Sequence, residues 1–332
     1  VDGIRRILRG ENRITTIPDR FQDAILAKNL VRVTKNAQTG EGGFAPVETR
    51  EQVIRLAGRK SHFDLLDYGM DAAATRALDI ATQLAFAAGL EALKDAGIPL
   101  VRTYRQTSNG KQVATGWALP ESMRDNTGIV FASAFPGYDQ LITKIKQDGD
   151  DGEGHFDRRF LFQVLAMGHS QFAQLVGARG PNTAVNAACA STTQAIAVAE
   201  DWILAGRCER VIVLGADDVT SDTMMEWIGA GFLAAGAATT TAKVEEAALP
   251  FDKRRHGMIL GMGAVGLILE TAEAAAERGT IPIAKLLGTH LANSAFHGTR
   301  LDAAHIAREV KRFADRVVAR AGVSHAAFAE QC

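Results

Sequence analysis

The sequence predicts an α/β fold. Three short runs, at 128–132, 211–215 and 264–270, are apolar almost without interruption, the pattern of strands buried on both faces. Helical stretches near 159–176 and 190–206 separate the first two runs, and strands that alternate with helices imply a sheet covered by helices. Aromatic residues make up only 6% of the chain while Ala and Gly abound, a composition suited to close packing of helix on sheet.

The length of 332 residues fits one large domain or two ordinary ones. Hydrophobic residues make up 47%, enough for a substantial core, and the net charge of −1 comes from 37 basic and 38 acidic residues. No overall positive field is available for gripping nucleic acid. Apolar stretches break well short of membrane-spanning length and no secretory signal opens the chain. Three widely spaced cysteines, Cys189, Cys208 and Cys332, cannot build a disulfide framework or a zinc knuckle. The expectation is a soluble cytoplasmic protein with no membrane or nucleic-acid partner.

Individual elements follow from local pattern. Leu78, Ala81, Ala85, Ala88 and Ala92 recur at helical spacing before Gly97, predicting a helix from Thr75 to Ala96. Two strand-like runs flank Asn109-Gly110 within 101–119, predicting a β-hairpin with that dipeptide at the centre of a type I′ turn. Residues 36–46 read as a loop. The acidic run Asp148-Gly149-Asp150-Asp151-Gly152-Glu153 lacks the ligand at the fifth position and the Glu at the twelfth that a calcium loop needs, and reads as a solvated loop.

The chemistry centres on Cys189. A β-prone run, Thr183–Asn186, leads into it, and a small-residue helix from Ala190 to Ala205 follows, closed by Gly206. Cys189 therefore sits at a strand-to-helix turn. The unpaired N–H groups of a helix start favour an anion such as a thiolate and can also donate to an oxyanion formed at an attacked carbonyl. Ala, Ser and Thr around it leave room beside the sulfur. A small core cysteine is the competing reading, and spacing alone leaves the two open.

The run Gly180-Pro181 through Ala188-Cys189-Ala190-Ser191 resembles the active-site segment of β-ketoacyl synthases, the condensing enzymes of fatty-acid and polyketide assembly. Three further blocks resemble the same family in the same order. They are the helix end at Glu91–Gly97, the strand Glu209–Ala216, and the pair Pro250-Phe251-Asp252 with Gly261-Met262-Gly263-Ala264. The sequence departs from the family pattern at His256, where Asp is usual, at Met262, where an acid is usual, and at Val265, where Gly is usual. The stretch 100–120 looks like a hairpin insertion.

The resemblance implies a thiolase-like α/β fold with a mixed five-stranded sheet covered by helices, one half of a layered αβαβα architecture. It implies acyl transfer from an acyl carrier protein to Cys189, then decarboxylative condensation with malonyl carrier protein, within a homodimer. It implies no cofactor, because the phosphopantetheine arm belongs to the carrier, and no metal. Asp252, Arg255 and Gly257 are expected to hold a turn near the site, and Met225 and Phe232 to line the acyl channel. The family also uses two histidines, the first in a His-Gly-Thr-Gly-Thr context. His297-Gly298-Thr299 precedes a helix over 302–322 and reads instead as a structural or gate-lining histidine. The 332 residues are thus expected to be an N-terminal lobe, able to take an acyl group and unable to condense it.

Two other readings stand beside this one. A non-catalytic synthase-like partner subunit would share the fold, although such partners typically lose the nucleophile that Cys189 retains. A dinucleotide-binding oxidoreductase is suggested by Gly261-x-Gly263-x-x-Gly266, but that fingerprint needs a helix directly after the glycines, and Val265–Glu270 is strand-like.

Overall fold

The computed structural model describes residues 2–35, 41–59, 63–151, 160–165, 167–247, 249–296 and 301–331. Among them are the strands β1 (Ile14–Thr16), β2 (Val31–Lys35), β3 (Gly42–Pro46), β4 (Leu56–Gly58), β5 (Val101–Gln106), β6 (Gln112–Ala118), β7 (Thr127–Ala132), β8 (Asn182–Val185), β9 (Arg210–Asp218) and β10 (Leu260–Glu270). Six form one mixed sheet in the order β1-β4-β10-β9-β7-β8, and β2-β3 and β5-β6 are separate two-stranded ribbons. The fold is α/β as expected, with six strands in the main sheet where five were expected. Strands β1 and β4 are three residues each, too short to leave a periodic signature. No described helix is long and apolar enough to cross a membrane.

The chain divides into two compact units. The first comprises Val1–Ala87, Phe135–Ala166 and Ala216–Ala264. Here β1 runs antiparallel to β4, and Leu260 and Gly261 of β10 pair in parallel with Ala57 and Gly58. The helix Asp19–Leu26 contributes Phe21 and Ile25, four residues apart and so on one face, to a core with Ile54, Met224, Met225 and Leu233. The expected loop at 36–46 is partly strand. Residues 36–40 lie outside the described ones, but β3 pairs antiparallel with β2 from Val31↔Pro46 to Lys35↔Gly42. Its Gly-Gly opening and closing Pro disguised it.

The helix expected over Thr75–Ala96 is two helices, Ala72–Arg76 and Ile80–Asp95. Asp79 causes the break. Its buried carboxylate accepts from the amides of Ala81 and Thr82 and, at 3.1 Å, from Gly137 N–H, so it caps the second helix and cannot continue the first. The stretch 159–176 also splits, into Phe160–Val164 and Gly168–Val176, where Gly168 weakens helix propensity. The acidic run begins inside a helix, since Tyr138–Asp151 is helical. Gly152 and Glu153 lie outside the described residues.

The second unit comprises Ala88–Ala134, Met167–Gly215 and Val265–Cys332. Strand β7 lies between β8 and β9, parallel to both, with Val130 opposite Thr183 and Val213. All of β7 is buried, which accounts for its unbroken apolar run. Val130, Ala132, Val211 and Val213 pack against Ala195 and Ala199 of the Ser191–Leu204 helix, and side chains that small bring the helix close. A Cβ on Gly215 would lie 2.4 Å from Thr192 Oγ1, so a larger residue there would displace the first turn of that helix.

An ion cluster ties the ends of two strands in this unit. Glu270 accepts from Arg210 Nε at 2.5 Å and from Arg278 Nη2 at 2.5 Å, and Arg278 also donates to the Ala96 carbonyl at 2.8 Å. All three side chains are at most 10% exposed. The hairpin β5–β6 pairs antiparallel, with an irregularity between Thr103 and Tyr104. Its turn is not type I′. Gly110 N–H donates to Thr107 O at 2.9 Å, which puts Ser108 and Asn109 at the centre, and only Gly110 takes a positive φ, 81°. Thr107 Oγ1 bonds the Asn109 side chain and donates to Lys111 O, and this local network holds Asn109 out of the left-handed region.

Candidate active site

Strand β8 delivers the chain to Cys189. The last strand residue, Val185, is still in register with Ala132 of β7, and four residues later the chain turns into the Ser191–Leu204 helix. Ala188 makes that turn with φ 50°, a left-handed conformation that costs an ordinary residue about 1–2 kcal/mol. The strain is met by local bonds. Asn186 Oδ1 accepts from Ala188 N–H at 3.0 Å, and Asn186 Nδ2 donates to Ala134 O at 3.0 Å. Ser191 Oγ accepts from Ala187 N–H at 2.9 Å and donates to Ala188 O at 2.6 Å.

The consequence is an exposed thiol. Cys189 is a free, exposed cysteine one residue before the N-cap, Ala190, which has no side-chain cap bond. The helix's own first-turn N–H groups have no carbonyl one turn earlier within the helix, and their dipole favours negative charge. Cys208 contrasts with it, being buried with its thiol pushed up, chiefly by burial. A thiol exposed at a strained strand-to-helix elbow can attack a carbonyl carbon, and helix amides beside it can receive the oxyanion. Asn186 and Ser191 carried a signal in the sequence: short polar side chains next to a helix start bond locally to backbone.

Met225, Phe232, Asp252, Arg255 and Gly257 lie in the first unit. Met225 is fully buried in its hydrophobic core and opens a π-turn over Met225–Gly229. Phe232 is partly buried against the same core and meets Phe135 edge-on at 6.5 Å. Asp252 holds a turn: its carboxylate accepts from Arg254 N–H at 2.7 Å and from Arg254 Nη2 at 2.7 Å, and its carbonyl accepts from Arg255 Nη1 at 3.0 Å. Arg255 also lines a cleft of about 520 Å³ with Ile14, Leu249, Pro250 and Met258. Gly257 has φ 87°, and a Cβ there would lie 2.7 Å from Thr239 N, so that position requires glycine. His256 bonds Thr239 Oγ1 at 3.1 Å through Nδ1 and Thr241 Oγ1 at 3.0 Å through Nε2. His297 lies outside the described residues. Gly261, Gly263 and Gly266 all lie inside β10, so no helix opens on them as a dinucleotide site requires.

One feature of the first unit has no trace in the sequence. Asp79, Asp139 and Asp218 come close enough to interact although 139 residues separate the outer two in the chain. Asp139 is pushed up to about 6, first by burial and then by the charge of Asp79. Among the described residues no three His, Cys, Asp or Glu side chains converge as a metal site.

The second unit thus presents a free, exposed thiol at a strand-turn-helix elbow of an α/β sheet. Residues 2–275 match the family described as "Beta-ketoacyl synthase, N-terminal domain", and the chain belongs to that family. It is 28% identical over 276 residues to 3-oxoacyl-[acyl-carrier-protein] synthase 2 of Staphylococcus aureus, covering 82% of this chain and 62% of the relative. It is 28% identical over 265 residues to the Vibrio harveyi protein of the same name, covering 78% and 58%. The chain thus spans about three fifths of the length of these curated relatives. Among solved structures, a β-ketoacyl synthase from Burkholderia phymatum STM815 superposes with a TM-score of 0.61 at 20% identity, over 94% of this chain and 71% of that one. The ishigamide ketosynthase/chain length factor gives 0.62 at 20% identity, over 94% and 68%. Both share the fold.

Proposed function

We propose that this protein takes part in β-ketoacyl synthesis, with Cys189 as the acyl-accepting nucleophile. The observation that carries the reading is the exposed Cys189 thiol at the elbow, inside the segment matched to the family. The Cys189 sulfur attacks the thioester carbonyl of an acyl group carried on an acyl carrier protein. A C–S bond forms to Cys189, the C–S bond to the carrier's phosphopantetheine breaks, and the carrier leaves as its thiol after taking up a proton. The amides at the start of the Ser191–Leu204 helix support the oxyanion formed in between. In the complete enzyme, a homodimer, decarboxylative condensation with malonyl carrier protein then releases carbon dioxide and yields a β-ketoacyl chain two carbons longer. The protein brings no cofactor of its own to this step.

The test is acylation of the whole chain by an acyl carrier protein bearing an octanoyl group, read by peptide mass mapping, beside Cys189→Ala. A mass increase on the Cys189 peptide, absent in the variant, is expected. Acylation spread equally over Cys208 and Cys332, or none at all, refutes the assignment and favours the non-catalytic partner subunit.

A further inference from the structure

Ser191 lies in the first turn of its helix, yet it does not cap the helix. A capping serine accepts from amides two or three residues ahead, whereas Ser191 Oγ turns back, accepting from Ala187 N–H at 2.9 Å and donating to Ala188 O at 2.6 Å. The hydroxyl's donor is thereby committed, the side chain is only 4% exposed, and no proton remains on it for a substrate. Asn186 works from the other side. Its Oδ1 takes Ala188 N–H, and its Nδ2 reaches Ala134 O just beyond β7, each at 3.0 Å. The Ala188 N–H is therefore held by the Asn186 side chain, and its carbonyl by the Ser191 hydroxyl together with the Ser191 N–H at 3.1 Å. Ala188 is also the residue at φ 50°, and its ψ and the next φ set where the Cys189 thiol points.

We infer that Asn186 and Ser191 are positioning residues that hold the elbow at Ala188 and so fix the Cys189 thiol at the helix start, a role that rests on the proposed function of Cys189. The N-cap position supports the same reading. Ala190 has no side chain able to occupy the first-turn amides, and of these the Ser191 N–H already donates to Ala188 O, so the clamp fastens the elbow while leaving the Thr192 and Thr193 amides to whatever negative charge develops beside them. Ser191 and Asn186 act through Cys189 and never on the acyl group.

The experiment uses the full chain and brief iodoacetamide exposure at neutral pH, with peptide mapping of Cys189 and Cys208, in the parent protein and in Ser191→Ala, Ser191→Thr and Asn186→Ala. Loss of the clamp is expected to slow Cys189 alkylation about tenfold in Ser191→Ala, the rate equivalent of about 1.4 kcal/mol, and severalfold in Asn186→Ala. Cys208 is expected to keep its rate, and Ser191→Thr, which retains the hydroxyl, to recover most of the loss. Parent-like rates in both Ser191→Ala and Asn186→Ala overturn the inference. So does a loss in Ser191→Ala that threonine fails to recover, because packing and not the hydroxyl would then be responsible. Should Ser191→Ala not fold, Asn186→Ala, at an exposed side chain, decides alone. Octanoyl transfer from octanoyl-N-acetylcysteamine, run in parallel, separates the two proposals. Slowed alkylation in the variants together with no acyl transfer in the parent leaves the clamp standing and removes the nucleophile role.

Discussion

Replacing Asp139 by Asn tests whether the acidic cluster of the first unit stores free energy. Burial and the neighbouring charge of Asp79 raise the Asp139 carboxyl from an ordinary 3.8 to about 6. The folded state therefore binds a proton more tightly than the unfolded chain between those two values, and stability falls as pH rises through that window. The difference of about 2 pH units corresponds to about 3 kcal/mol lost above pH 6 relative to pH 4. Asn cannot ionise and matches Asp in shape, so Asp139→Asn should be more stable than the parent by up to about 3 kcal/mol at pH 7, and by little near pH 4. Hydrogen exchange on peptides from 135–151, under urea between pH 4 and 7, localises the effect to this unit. A parent whose protection there rises with pH, or a variant that gains nothing at pH 7, would refute the reasoning.

Two further substitutions test the second unit. Glu270→Leu strips the shared carboxylate from Arg210 and Arg278, leaving two largely buried guanidiniums with neutral acceptors only, Thr127 Oγ1 and the Ala96 carbonyl. Thermal unfolding should show a loss of about 3–5 kcal/mol, and a variant as stable as the parent would show the cluster to be dispensable. Gly110→Val places a β-branched residue at φ 81°. Hydrogen exchange should rise across 101–118 and stay unchanged over β7, whose neighbours are β8 and β9. Unchanged protection in the hairpin would mean that the turn tolerates the strain.

The sequence by itself determined the elements whose signal is local. Strands β7 and β9 are buried on both faces, so their apolar runs needed no partner to be recognised. The Ser191–Leu204 helix and the strand before it announced the position of Cys189, and the motif blocks announced the family. The hairpin was legible because strands flank a turn dipeptide, but the turn type was not, because the Thr107–Asn109 network outweighs what Asn-Gly prefers alone. What depends on contacts between distant residues was decided only by the tertiary structure. Asp79 breaks a helix that its own periodicity continues, because Gly137, 58 residues on, donates to its carboxylate. Strands β1 and β4 exist because each finds the other across some forty residues, three residues apiece being too few to carry a pattern. Asp139 differs from other carboxylates only through its burial near Asp79 and Asp218. The strain at Ala188, and the two side chains that hold it, likewise follow from where β7 ends relative to β8, a relation fixed by pairing in the sheet and written in no single stretch of residues.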